Sequence, residues 1–488
     1  MSETPPRTSA VVIGAGIVGN SLVHHLALLG WRDIVLVDKG PLPNPGGSTG
    51  HASNFIFPIE YSKMMFELTR YSTGQYKALG VFTESGGIEV ARGPERMREL
   101  RRRVTQAKAW GIPAEHLTPA GVDKLVPYLD ESVILGGAYF PTVGVVDSLR
   151  AGTLMREAAQ ASGALTVAGN TEVLDVRVSD GAVTSVVTTA GEIETGNVVI
   201  ACGVWSPRVA RLAGARLPLT PIVHQMISVG PIGLFTATTG EIAYPIVRDV
   251  DTGMYERQHG ADMEVGSYAH RPILIWPDDI PSSEQAVRSP AELPFTDEDF
   301  DPQLAQALEL MPELLGDERA GIRYAINGLI SMTPDGHPLL GETPEVKGLW
   351  SAAASWIKEG PGCGRCGPPR STTGRGNWAR CSTRPAALPA GRPDRHEDHP
   401  GYLPRVRDKR GDPAHGRVLR REDDHRRQHR PIGSDASSTR TLGRRPGGEA
   451  GWQAREGPAE RPGRVAAVGE SRLALEDVPR AEVSAQRP

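Results

Sequence analysis

Cysteine is nearly missing from most of this 488-residue chain: of four in all, only Cys202 precedes position 363. One thiol builds no disulfide framework, so the body must fold on its own core, and a reducing cytoplasm is the expected compartment. Basic charge is short there as well. Residues 1–362 hold 28 Lys and Arg against 42 Asp and Glu, a net of −14, which offers no electrostatic footprint for nucleic acid. The remainder has other deficits. From Cys363 onward lysine occurs once, Lys409, isoleucine once, Ile432, and phenylalanine and methionine not at all, while 26 Lys and Arg face 16 Asp and Glu. Pro and Gly recur every few residues without helical or strand period, a composition too poor in apolar surface to offset chain entropy, so disorder is expected. Uncharged apolar runs are scarce too, with one exception at Ala10–Gly30. That run is long enough to suggest a membrane span or signal peptide. Its four glycines, Asn20, His24 and His25 suit neither, and no membrane association is expected.

The same run reads better as strand, turn and helix. Val11-Val12-Ile13 leads into Gly14-Ala15-Gly16-Ile17-Val18-Gly19, then an amphipathic helix to Leu29, then Ile34-Val35-Leu36-Val37 ending in Asp38 and Lys39. In such a unit the glycines permit a tight turn and close backbone approach, the helix N-terminus faces a pyrophosphate, and the acid accepts from a ribose hydroxyl. Dinucleotide binding by Gly14, Gly16, Ile17, Val18, Gly19, Asp38 and Lys39 follows. Thirty-two residues beyond Gly19 stands His51, within Gly46-Gly47-Ser48-Thr49-Gly50-His51-Ala52.

Five ordered blocks carry a resemblance. They are the GxGxxG helix; the GGSTGHA stretch; Val223-His224-Gln225; Gly266-Ser267-Tyr268-Ala269-His270-Arg271-Pro272; and Thr333 to Gly341. Together, over about residues 8–362, they resemble the dimethylglycine oxidase, dimethylglycine dehydrogenase and sarcosine dehydrogenase group of flavoproteins. The resemblance implies FAD, held covalently by His51 with Ser48 and Thr49 beside it, and a backbone contact from Val173 to the adenine. It implies a small N-methylated amine as substrate, a hydride equivalent passing from its N-methyl carbon to flavin N5, and oxygen or an electron-transfer protein as acceptor. His224 and Tyr255 become the candidates for binding the amine and managing its proton. The chain departs from the common pattern beside His51, with Gly50 for a serine and Ser53-Asn54 for Pro-Gly, which touches the substrate more than the flavin. Another amine or amino-acid oxidase of the same fold would share every flavin motif.

The expected fold is α/β: a Rossmann-like FAD-binding domain (about 8–95, 145–216 and 322–362) with an antiparallel-sheet substrate domain (about 96–144 and 217–321) of amino-acid oxidase type. Helical spacing marks Tyr61–Tyr76, Pro94–Trp110 and Ser148–Gly163, the second with a basic cluster that reads as a solvated face. Cys202 ends a buried strand and reads as a small apolar residue, not a nucleophile, and His337 reads as structural. Residues 363–488 form a non-globular tail, and the helix expected to close the flavin domain after Gly360-Pro361-Gly362 is not evident. Three readings stand for that tail: a basic arm for nucleic acid or an acidic partner, a zinc module on Cys363, Cys366, Cys381, His396 and His399, or out-of-frame translation of GC-rich DNA. The last is preferred because the break falls inside a motif, and no hairpin or helix is evident to orient a metal site, so no metal is expected. Nothing resembles the family's C-terminal folate domain, so free formaldehyde would be the product. An impaired flavoprotein whose tail binds nucleic acid is the remaining alternative.

Overall fold

A computed structural model describes residues 5–316 and 321–366. Strand β1 (Ala10–Ile13) and strand β2 (Ile34–Val37) pair in parallel, every residue of both is buried, and helix α1 (Ile17–Leu28) crosses between them. Burial on both faces explains why these strands are unbroken apolar runs. Gly14 has φ +105°, and a Cβ there would stand 2.4 Å from Ala201 O, so only glycine turns the chain at that point. The sheet extends to six strands in the order Leu339–Glu342, Leu349–Ala353, Val198–Ile200, β1, β2, Leu165–Ala168, all parallel except the first, antiparallel pair. At twelve residues α1 is too short to span a bilayer, and no helix among the described residues is long and apolar enough to do so.

A nine-stranded sheet forms the second layer, its order 292–293, 321–332, 220–230, 262–267, 254–259, 246–249, 87–91, 136–140, 115–117. It is antiparallel but for the pairing of Ile246–Asp249 with Gly87–Ala91. Two stretches counted above with the FAD-binding parts, Gly87–Ala91 and residues 322–332, therefore hydrogen-bond in the second sheet. Apolar patterning marks a strand but not its partner, and one of the two partners of Gly87–Ala91 lies 159 residues away. Helices α2 (Lys63–Ala78) and α3 (Pro94–Ala109) lie where helical spacing places them.

The closing helix exists. Gly360–Arg365 is helical and buried from Gly360 to Gly364, with Cys363 and Cys366 in one apolar cluster with Val18, Leu22, Met65 and Leu68. This corrects the break placed at Gly362: the fold runs on to Cys366. Glycine and proline hid the helix because their propensities argue against one, whereas packing demands them. A Cβ on Gly364 would stand 2.4 Å from Ser21 Oγ, and one on Gly362 2.5 Å from Leu68 O. Cys363 and Cys366 are buried in that apolar cluster, and no metal-competent cluster occurs among the described residues. Cys381, His396, His399 and the readings of the tail beyond 366 lie outside the described residues.

Candidate active site

One cavity of about 1770 Å³ runs between the two sheets. Ligand pockets commonly measure roughly 300–1,000 Å³, so there is space for a dinucleotide and a small substrate together. Gly14, Gly16, Ile17, Val18, Asp38, Lys39, Ser48, Thr49, His51, Val173 and His224 all line it. Gly19 does not: a Cβ on it would stand 1.8 Å from Gly14 O, so its part is close packing of helix on turn.

Local bonds set this wall. Asp38 Oδ2 accepts from Ala15 N at 2.6 Å and Oδ1 from Gly40 N at 2.8 Å, two bonds that oppose the upward pull of burial on its carboxyl pKa. Thr49 Oγ1 accepts from Ile17 N at 3.1 Å, tying the GSTGHA stretch to the first turn of α1, and Ser48 Oγ donates to Leu329 O at 2.6 Å. Lys39 pairs with Glu172 at 3.0 Å at the open end. These contacts deliver His51 to the middle of the cavity. Both of its ring nitrogens are buried without a hydrogen-bond partner, and burial lowers its pKa to about 4. A buried polar atom left unpaired is costly, so a neutral imidazole held this way fits a group the chain does not itself supply. The glycine-lined turn, Asp38, the cavity size and this orphaned histidine together fit FAD.

Across the second sheet, His224 Nδ1 donates to Ser267 O at 2.9 Å and its Nε2 accepts from the Tyr255 hydroxyl at 2.9 Å. Tyr268 stacks on the His224 ring at 4.3 Å and 9°. Burial holds His224 neutral, its pKa lowered to about 3, and pushes the phenols of Tyr255 and Tyr268 upward. Tyr255, expected over the flavin, is fully buried and is not among the lining residues. The reason is its register partner Gly266, whose missing side chain the phenol ring fills: a Cβ there would lie 2.1 Å from Tyr255 Cζ. Tyr268, inside a block already conspicuous in the sequence, lines the cavity instead. Ser53 also lines the cavity and hydrogen-bonds the Tyr255 hydroxyl.

The basic face of α3 is only partly solvated. Arg98, Arg101 and Arg102 are exposed, but Arg96, Glu99 and Arg103, spaced i, i+3 and i+7, turn inward and line the cavity. Arg103 pairs at 2.8 Å with Glu89, which also pairs at 3.1 Å with Arg248, whose guanidinium lies 5.0 Å over the Phe57 ring. Lys358 lines the same region and pairs with buried Glu60. This cluster escaped the sequence reading because helix phase against the core is set by tertiary packing. Cys202 donates to Ile13 O at 3.2 Å, and burial drives its thiol pKa upward, consistent with an inert thiol. His337 does not line the cavity; its backbone closes a turn on Asp335.

A family model described as FAD dependent oxidoreductase matches residues 9–366. The mitochondrial sarcosine dehydrogenase of Mus musculus is 30% identical over 380 residues, 74% of this chain and 39% of that protein. The mitochondrial dimethylglycine dehydrogenase of Homo sapiens is 28% identical over 358 residues, 71% of this chain and 40% of its own length. The chain thus spans about two fifths of the curated relatives it matches. Among solved structures, L-proline dehydrogenase from P. horikoshii shares the fold with a TM-score of 0.63 at 23% identity, over 74% of this chain and 92% of that one. With the dinucleotide turn, Asp38 and the cavity in place and the match reaching from the first strand to the closing helix, the chain belongs to the FAD-dependent oxidoreductase family.

Proposed function

We propose that this chain is an FAD-dependent oxidoreductase that demethylates an N-methylated glycine or a related small N-methylamino acid, with FAD joined covalently to His51. The observation that carries the reading is the buried His51 ring without partners, set between the dinucleotide turn and the His224–Tyr255 pair. The names of the sarcosine and dimethylglycine dehydrogenases supply the substrate class. FAD, when bound, supplies the redox chemistry by accepting a hydride equivalent from the substrate, and the protein supplies orientation and electrostatics. Residues of the turn, Asp38 and Val173 hold the dinucleotide. His224, neutral and fixed by Ser267, is the final acceptor of the amine's proton, which reaches it through the Tyr255 hydroxyl that occupies its free lone pair. Arg248, held by Glu89, meets the substrate carboxylate as a charge-assisted anchor. Water would hydrolyse the oxidised amine to formaldehyde, with oxygen or an electron-transfer protein as the final acceptor.

A panel of sarcosine, dimethylglycine and longer N-methylamino acids, with proline and glycine as controls, tests this by anaerobic bleaching of the flavin absorbance and assay of formaldehyde. Bleaching without formaldehyde, or bleaching by the controls alone, replaces the reading with another amine or amino-acid oxidation.

A further inference from the structure

Hydrogen-bond direction around His224 is fixed by chemistry. Ser267 O is a carbonyl and only accepts, so Nδ1 carries the proton of the neutral ring and Nε2 offers a lone pair. The Tyr255 hydroxyl, bonded to that lone pair, must donate its only proton there. Its contact with Ser53 then has one solution: Ser53 donates to the phenol oxygen. This leaves a lone pair of Ser53 Oγ without an assigned donor, on a residue that lines the cavity. The neutral lone pair of His224 is thus already occupied by Tyr255. Phe55 packs on the Tyr255 ring at 4.6 Å and Gly266 lies beneath it, so the phenol has no other direction in which to point. Asn54, at φ +59°, sets the turn that aims Ser53, a conformation asparagine tolerates. A proline at 53, as in the pattern the block resembles, has no hydroxyl to offer.

We propose that Ser53 is the cavity-facing end of a hydroxyl relay through Tyr255 to His224 that removes the ammonium proton of the amine substrate. This rests on the amine-oxidising reading above. The transfer conserves protons: the substrate nitrogen gives one to Ser53 Oγ, Ser53 gives its own to Tyr255, and Tyr255 gives its own to His224 Nε2. The substrate leaves the step as a free amine and His224 as an imidazolium. His51 and His270 press on the charge of His224, as do Arg248 and Lys358 on the Tyr268 ring stacked against it, while Glu264 and Arg257 act on Tyr255. All but Glu264 oppose a positive charge at this end of the relay, so the imidazolium is short-lived: once the oxidised product has left, it returns its proton through Tyr255 to Ser53 and from there to water entering the cavity.

Two measurements test the relay in the FAD-loaded protein. The first is flavin reduction by rapid anaerobic mixing, against pH, in wild type, Ser53→Ala and Ser53→Thr. Loss of a positioned proton acceptor typically slows a step by about 10²- to 10⁴-fold, and that deficit is expected in Ser53→Ala at neutral pH. It should close as pH nears about 10, where alkylammonium groups deprotonate unaided. Ser53→Thr should restore the rate. An unchanged rate, or a deficit of equal size at every pH, overturns the relay. The second reads no turnover: nitrogen NMR of ¹⁵N-histidine-labelled protein should show neutral His224 with its proton on Nδ1, and Ser53→Ala should shift the Nε2 resonance. A proton on Nε2 overturns the relay whatever the substrate, whereas a wild-type flavin that no N-methylamino acid bleaches overturns the proposed function instead.

Discussion

The ring of His51 rests on Gly328: a Cβ added to Gly328 would stand 2.8 Å from Cδ2 and 2.9 Å from Nε2 of that histidine. Gly328 is also the register partner of His224 across the long strand pair, so one missing side chain lets both histidines approach the same part of the cavity. Gly328→Ala is expected to tilt the His51 ring while leaving the dinucleotide turn intact. Acid precipitation should then find flavin colour in the wild-type pellet and largely in the supernatant of Gly328→Ala and His51→Ala, both of which still bind FAD reversibly. A fully yellow Gly328→Ala pellet would show that the contact sets nothing.

Arg248 and Arg103 share one carboxylate, Glu89, which is almost fully buried. Removing either guanidinium therefore has different consequences. Arg248→Met should raise KM for N-methylamino acids by about 10- to 100-fold, the worth of one charge-assisted contact of ~1.5–3 kcal/mol, with a smaller change in kcat. Arg103 is the more buried of the two partners, and breaking a buried pair typically costs ~3–5 kcal/mol, so Arg103→Met should lower the unfolding midpoint more than Arg248→Met does. Equal KM values for Arg248→Met and wild type would place the substrate carboxylate elsewhere.

Local signals and long-range ones were unequally legible. The dinucleotide turn could be read because strand period, glycine spacing and Asp38 all lie within thirty residues, and GSTGHA could be read because it resembles a block of a known flavoprotein group. Tyr255 could not be placed, since its burial depends on Gly266 in a neighbouring strand. Arg103 differs from Arg102 only in helix phase, and Gly87–Ala91 joins the second sheet through partners far along the chain. The closing helix was hidden because intrinsic propensity argues against Gly-Pro-Gly-Cys-Gly-Arg, while the surface it meets admits little else.

Three buried histidines each carry an acid-sensitive share of the stability. Burial lowers His25 and His51 to about 4 and His224 to about 3, from an ordinary value of 6.5. The unfolded chain thus binds protons between about pH 3 and 6.5 that the folded chain refuses. The share of stability these histidines carry is fully present above pH 6.5 and falls as pH drops toward 4, by up to about 1.4 kcal/mol per pH unit for each, while the buried carboxyls of Glu256 and Glu359, whose pKa values burial raises, act in the opposite sense. Urea unfolding of flavin-free protein at pH 7 and pH 5 measures this, and His25→Gln, remote from the cavity, should flatten the dependence by about one proton. A His25→Gln dependence identical to that of the wild type would contradict the burial of that ring.

The packing of the closing helix makes an unusual sign test. Alanine is a better helix former than glycine by about 1 kcal/mol, so on propensity alone Gly362→Ala and Gly364→Ala should stabilise the chain. The neighbours say otherwise. A Cβ at 362 would stand 2.5 Å from the backbone oxygen of Leu68, and one at 364 2.4 Å from Ser21 Oγ and 2.8 Å from Leu22 N. Overpacking of this kind costs typically ~1–3 kcal/mol, which exceeds the propensity gain when backbone is the obstacle. Both variants should therefore lower the urea midpoint, Gly362→Ala the more because Leu68 O cannot rotate away while Ser21 can. Flavin occupancy should fall with it, since α1, against which the helix packs, carries the dinucleotide turn at its start. A chain ended after Cys366 should keep the wild-type midpoint, and one ended after Glu359 should not. Stabilised alanine variants, or equal midpoints for the two shortened chains, would remove the closing helix from the fold.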